Sequence, residues 1–171
     1  MSSPLPIVRP TRYCVGMKID GARFGHVNVT SRDWRRLADF YGDVFGMEQV
    51  GPERDIASAD LDRATGLTGA HLRGAHLRLP GGGDDGPTLE IFSYDTMAPD
   101  PETPVPHRAG WGHIALQVPD VAAALEAVEA GGGAPFGDVV TMATKDGRRL
   151  TWCYATDPDG NIIELQTWHA A

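Results

Sequence analysis

Cysteine is scarce in this chain: Cys14 and Cys153 are the only two. Two cysteines cannot build a disulfide framework and have no zinc-finger spacing, so reduced thiols in a cytoplasmic protein are expected. Long apolar runs are missing too. No stretch approaches the roughly 20 apolar residues that crossing a bilayer needs. The N-terminal "MSSPLPIVRPTRYCVGMKID" has no signal-peptide hydrophobic block. Positive charge is in deficit, with 15 Lys and Arg against 23 Asp and Glu for a formal net charge of −8. Such a surface repels phosphate, and no basic run offsets it, so neither nucleic acid nor a membrane is expected as a partner. What is present is ordinary globular material: 171 residues, 42% hydrophobic and 22% charged. That suits one domain, or two small modules sharing a core. Pro4, Pro6 and Pro10 predict an extended arm over residues 1–20.

The strongest signal is an internal repeat. "GHVNVTSRDWRRLADFYGDVFG" lies without gaps over "GHIALQVPDVAAALEAVEAGGG", pairing His26 with His113. Asp33 and Asp120 fall seven residues after their histidines, and Gly46 and Gly133 twenty after. Between these markers Trp34, Leu37, Ala38, Tyr41 and Phe45 form an apolar helical stripe, matched by Val121, Ala124, Leu125 and Val128. Asp33 and Asp120 are placed as N-caps, Gly46 and Gly131 to Gly133 as helix ends. Strand patterns follow each helix: "GAHLRLP" and "TLEIFSY" in the first half, "RLTWCYA" and "IIELQTW" in the second. Each half therefore reads β-α-β-β-β, an α+β fold of two modules over 21–97 and 111–171. Residues 98–110, with four prolines, form a stiff linker. Residues 51–73 are expected to be a loop with a weak helical turn, a lid over the site.

Strand alternation then sorts the polar residues. Val27 and Val29 point to the helix, while Phe24, His26 and Asn28 point away. Trp111, His113, Ala115 and Gln117 likewise face away, as do Glu90 on "TLEIFSY" and Glu164 on "IIELQTW". Each module thus places one histidine and one carboxylate on the face opposite its helix. An ionised carboxylate on a half-buried sheet face costs several kcal/mol unless it is paired, coordinated or wet. A divalent metal would satisfy His26, Glu90, His113 and Glu164 together, and two nitrogens with two oxygens suit Ni, Zn, Fe, Co or Mn.

The paired modules, the histidine on each first strand, the glutamate on each last strand and "DPDGNIIEL" resemble the vicinal oxygen chelate superfamily, which includes glyoxalases, bleomycin-resistance proteins and dioxygenases. The resemblance spans about residues 21–169 and implies a curved mixed β-sheet cup. The ligand pattern is most similar to that of lactoylglutathione lyase, whose His, Glu, His, Glu order would fall on His26, Glu90, His113 and Glu164. This implies a metal-dependent lyase or epimerase that abstracts a proton beside a carbonyl of a small substrate, including a thioester or thiol conjugate. Either Glu164, the first choice, or Glu90 would be the catalytic base. A homodimer is also implied. Extradiol dioxygenases would use His26, His113 and Glu164 on iron, leaving Glu90 surplus, and drug-binding relatives usually lack the metal set altogether.

The other candidates read as structural. His71 and His76 in "GAHLRGAHLRL" are not expected to form a second metal site, because Gly74 and the strand pattern argue against a helix. Arg73 and Arg78 are surface residues unless an anionic substrate tail engages them. His107 and His169 face solvent. "GGGDDGP" joins two strands and is no phosphate loop. "DPDG" is a turn, too short for a calcium loop. Trp111, Phe92, Trp152 and Trp168 line the cup or pack within it. Cys153 is inert.

Overall fold

A computed structural model of the chain describes residues 19–99 and 104–170. The expected arm and Cys14 fall almost wholly outside this range, as does part of the linker. The first module runs β1 (His26–Thr30), α1 (Trp34–Phe45), β2 (Gln49–Ala57), α2 (Ala59–Thr65), β3 (His71–Arg78) and β4 (Thr88–Tyr94). The second runs β5 (Ile114–Gln117), α3 (Val121–Ala130), β6 (Ala134–Pro135), β7 (Val140–Ala143), β8 (Arg149–Thr156) and β9 (Ile162–His169). Each module is its own mixed sheet, ordered β1-β4-β3-β2 and β5-β9-β8-β6, with β7 also pairing β8. In both, the first strand runs parallel to the last and the other pairings are antiparallel.

The helices form where the repeat places them. The Asp33 carboxylate accepts from the Arg36 N–H, and that of Asp120 from the N–H groups of Ala122 and Ala123. These bonds satisfy donors that have no partner inside the helix. Gly46 ends α1 at φ +66°, a left-handed conformation that favours glycine. α3 ends at Gly131, the first glycine of the expected run and two residues before the repeat marker Gly133. A Cβ on Gly131 would sit 2.8 Å from Val44 Cγ2 and 3.0 Å from Phe40 Cδ2 on α1, so a helix-helix contact requires glycine there.

Both helices feed one core. Leu37, Phe40 and Tyr41 of α1 and Leu89 and Ile91 of β4 share a cluster with Val121 and Val128 of α3 and Ile163 and Leu165 of β9. A buried polar latch joins the halves. The Tyr41 hydroxyl donates to Asp157 Oδ2 at 3.0 Å, and Asp157 also accepts from the Asp159 N–H, the Asn161 N–H and Asn161 Nδ2. Burial raises the Asp157 carboxyl above the usual range despite these donors, and burial next to Asp157 pushes the Tyr41 phenol well above its own. "DPDG" is a turn, as expected, but its first aspartate is a buried hub rather than a surface turn residue.

Residues 51–73 depart from expectation. No lid-like loop is found. The nine-residue strand β2 and the short helix α2, capped by Ser58 through the Leu61 N–H at 3.1 Å, occupy most of it. As the outermost strand of its sheet, β2 carries a register irregularity between Val50 and Arg54 and is exposed along most of its length. An edge strand with Pro52 and a bulge has no clean polar alternation to read.

Candidate active site

The face of each sheet turned away from the helices carries the candidate residues. In the first module, His26 on β1 and Glu90 on β4 are neighbours, with His26 Nε2 3.6 Å from Glu90 Oε2. In the second, His113 Nε2 lies 3.0 Å from Glu164 Oε2. His113 stands one residue before β5 rather than within it. Both glutamates are mostly buried, whereas the side chain of His26 is half exposed. The histidines line one cavity of about 460 Å³ at the seam between β1 and β5, together with Phe24, Asn28, Trp111 and Asn161. The structure thus forms two separate His–Glu pairs, with the histidines but neither glutamate lining the shared cavity. Among the described residues no group of three or more His, Cys, Asp or Glu side chains is arranged to hold one ion. The donor chemistry, imidazole nitrogen with carboxylate oxygen, is nonetheless of the kind that divalent transition metals take.

The sequence reading missed two residues. His76 on β3 lies directly across from Glu90 in the sheet register, and Tyr154 on β8 lies directly across from Glu164. His76 Nε2 is 3.0 Å from Glu90 Oε1, and its Nδ1 is 3.0 Å from Thr88 Oγ1. Burial holds the His76 imidazole below the ordinary histidine range, against the pull of the Glu90 carboxylate. Tyr154 packs on His113 with ring centroids 5.0 Å apart, and burial together with Glu164 raises its phenol. The findable signal for both was the repeat itself: each stands on the strand hydrogen-bonded to the glutamate strand, at the glutamate's own level.

The aromatic residues divide between modules. Phe92 lies edge-on to His76 at 6.0 Å, and Trp152 edge-on to Tyr154 at 5.1 Å. Trp111 is 95% exposed at the rim, and Arg148 stacks over Trp168. The remaining polar candidates are structural, as expected. His71 takes the opposite face of β3 from His76 and bonds Asp55 at 2.6 Å and Asp95 at 2.9 Å. Arg73 pairs with the same two aspartates, and Arg78 with Asp84. His107 is exposed, and exposed His169 bonds the Thr151 hydroxyl. Cys153 is buried, and burial raises its thiol. No helix among the described residues is long and apolar enough to cross a membrane.

Two βαβββ modules with a histidine on or beside each first strand and a glutamate on each last define the class. The chain belongs to the Glyoxalase/Bleomycin resistance protein/Dioxygenase superfamily, whose family model matches residues 23–165. It is 30% identical over 145 residues to a 2-epi-5-epi-valiolone epimerase from Actinomyces sp., covering 82% of this chain and 76% of that one. In fold it is similar to a glyoxalase family protein from Bacillus cereus, at TM-score 0.74 and 19% identity over 92% of this chain and all of that one. A glyoxalase family protein from Enterococcus faecalis matches at TM-score 0.54 and 19% identity, over 87% of this chain and all of that one.

Proposed function

We propose that the protein is a metal-dependent isomerase of the epimerase kind. It would act on a small carbonyl compound by removing and returning a proton on the carbon beside the carbonyl. The observation that carries this reading is the duplicated His–Glu pair on matching strands, with both histidines on one cavity. The relative named as an epimerase supports it. His26, Glu90, His113 and Glu164 would hold the ion. Bound there, Ni, Zn, Fe, Co or Mn would act as a Lewis acid for the negative charge that develops as the proton leaves. Glu164 would take the proton, with Glu90 the other candidate. Tyr154, whose phenol is raised by burial and by Glu164, packs its ring on His113. A homodimer is part of the proposal, tested by sedimentation.

The test combines elemental analysis with isotope exchange. Purified protein should carry a divalent metal, and His26→Ala and Glu164→Ala should lose it. Deuterium from D2O should enter small hydroxyketones at the carbon beside the carbonyl. Variants that keep metal as well as the wild type does would sink the ligand assignment.

A second reading is favoured by one contact. Glu90 is engaged by His76 and Asn28, which would leave His26, His113 and Glu164 as the three-residue set of a ring-cleaving dioxygenase. Oxygen uptake with a catechol, without isotope exchange, would select it.

A further inference from the structure

His76 and Tyr154 hold equivalent places in the two modules, yet only His76 comes within ion-pair distance of its glutamate. A carboxylate only accepts hydrogen bonds, and a neutral imidazole has one donor and one acceptor nitrogen. His76 Nε2 lies 3.0 Å from Glu90 Oε1, where a bare lone pair would face the carboxylate, so the Nε2–H tautomer is the one that fits and Nδ1 is left to accept from the Thr88 hydroxyl. The ring is also held from its sides, by Phe92 at 6.0 Å and His26 at 5.8 Å between centroids. Phe92 reaches this place because residue 74 is glycine, where a Cβ would come 2.4 Å from Phe92 Cδ1. The second module reverses the arrangement. Its aromatic, Trp152, stands at the position equivalent to Gly74, and Gln166 at that of Phe92.

The consequence for the two glutamates is unequal. Glu90 has both oxygens engaged, Oε1 by His76 and Oε2 by Asn28 Nδ2 at 3.1 Å. Among the described residues, His113 is the one side chain within ion-pair distance of Glu164, and none hydrogen-bonds it. We propose that His76 is the positioning residue of Glu90: it pins that carboxylate through Oε1, so the first module supplies the fixed ligand and Glu164 is left to move with the proton. The assignment deepens the metal-dependent reading above and rests on it for the roles of the glutamates. The hold on Glu90 stands on geometry alone.

Two readouts on the full chain, freed of metal by a chelator, test this. Histidine 1H–15N correlation spectra of the wild type should show His76 as the Nε2–H tautomer, and Glu90→Ala should turn it into a mixture. In Zn2+ titration calorimetry, His76→Leu should bind about 10–100-fold more weakly, as loss of a residue that orients a ligand does, while His76→Gln, which keeps an N–H donor, stays within about threefold of wild type. An Nδ1–H tautomer in the wild type overturns the proposal, and so does His76→Leu binding Zn2+ as tightly as wild type. If the wild type takes up no Zn2+, the metal reading falls, and the tautomer alone decides whether His76 holds Glu90. Because the tautomer is read in the wild type, a variant that fails to fold does not remove the test.

Discussion

At the scale of single residues, local hydrogen bonds set the chemistry of an exposed carboxylate. Asp146 in the β7-β8 turn illustrates this. The Thr144 hydroxyl donates to its Oδ1, and Arg148 Nε donates to Oδ2 at 2.8 Å. The Thr144 bond first, and Arg148 second, lower its carboxyl from 3.8 to about 2. The folded value lies below the unfolded one, so the turn gains stability above pH 3.8 and loses it as pH falls through about 2. A carbon-detected NMR titration of the Asp146 carboxyl should give that midpoint, and Thr144→Val should move it back up. An unshifted midpoint in the variant would remove the hydroxyl as the cause. Residue-scale features of this kind were partly legible. His26, Glu90, His113 and Glu164 stood out because alternation and the repeat marked them independently. His76 was set aside because it was weighed with His71 as one possible cluster. The two are five positions apart on a strand and so take opposite faces, where they answer to different neighbours.

At the scale of elements, what the sequence showed depended on how each element is packed. α1, with one buried stripe between Asp33 and Gly46, was readable from end to end. β4 was readable too, since it alternates Leu89 and Ile91 with Glu90 and Phe92. β2 was not, because an exposed edge strand has no dry face to impose a period of two. The glycine run placed the end of α3, but not which glycine caps it: the close approach of α1 at Gly131 has no local pattern. Packing also explains Gly74, which reads in sequence as a break. A Cβ there would lie 2.0 Å from the Ile91 carbonyl oxygen across the β3-β4 ladder. Gly74→Ala must therefore push the strands apart and displace Phe92 as well, a loss of about 1–3 kcal/mol by analogy with overpacked cores. Urea denaturation measures it, and an unchanged midpoint would contradict the close packing of β3 on β4.

At the scale of the whole molecule, the two modules are separate sheets that behave as one body because their helices share a core and one buried hydrogen-bond hub. The duplication was legible from the 87-residue offset of the two histidines (113 − 26 = 87). The joint between the copies was not. Tyr41 looked like another apolar helix residue, and its hydroxyl became meaningful only when Asp157 arrived beneath it from 116 positions away. Tyr41→Phe removes one donor to that carboxylate and should cost about 1.5–3 kcal/mol in urea or thermal unfolding. Asp157→Ala strands four donors and should cost more. If Tyr41→Phe unfolds at the wild-type midpoint, the hydroxyl is not what ties the halves together.

The indole of Trp111 stands almost wholly in water, two positions from His113 and on the rim of the shared cavity, whereas Trp34 is sealed in the core. The protein thus contains its own optical reporter. Iodide or acrylamide should extinguish the red-shifted emission of Trp111 first, that of 38%-exposed Trp168 less, and spare Trp34, and any molecule seated over the two histidines should shield Trp111, so occupancy can be followed by light without attaching a dye.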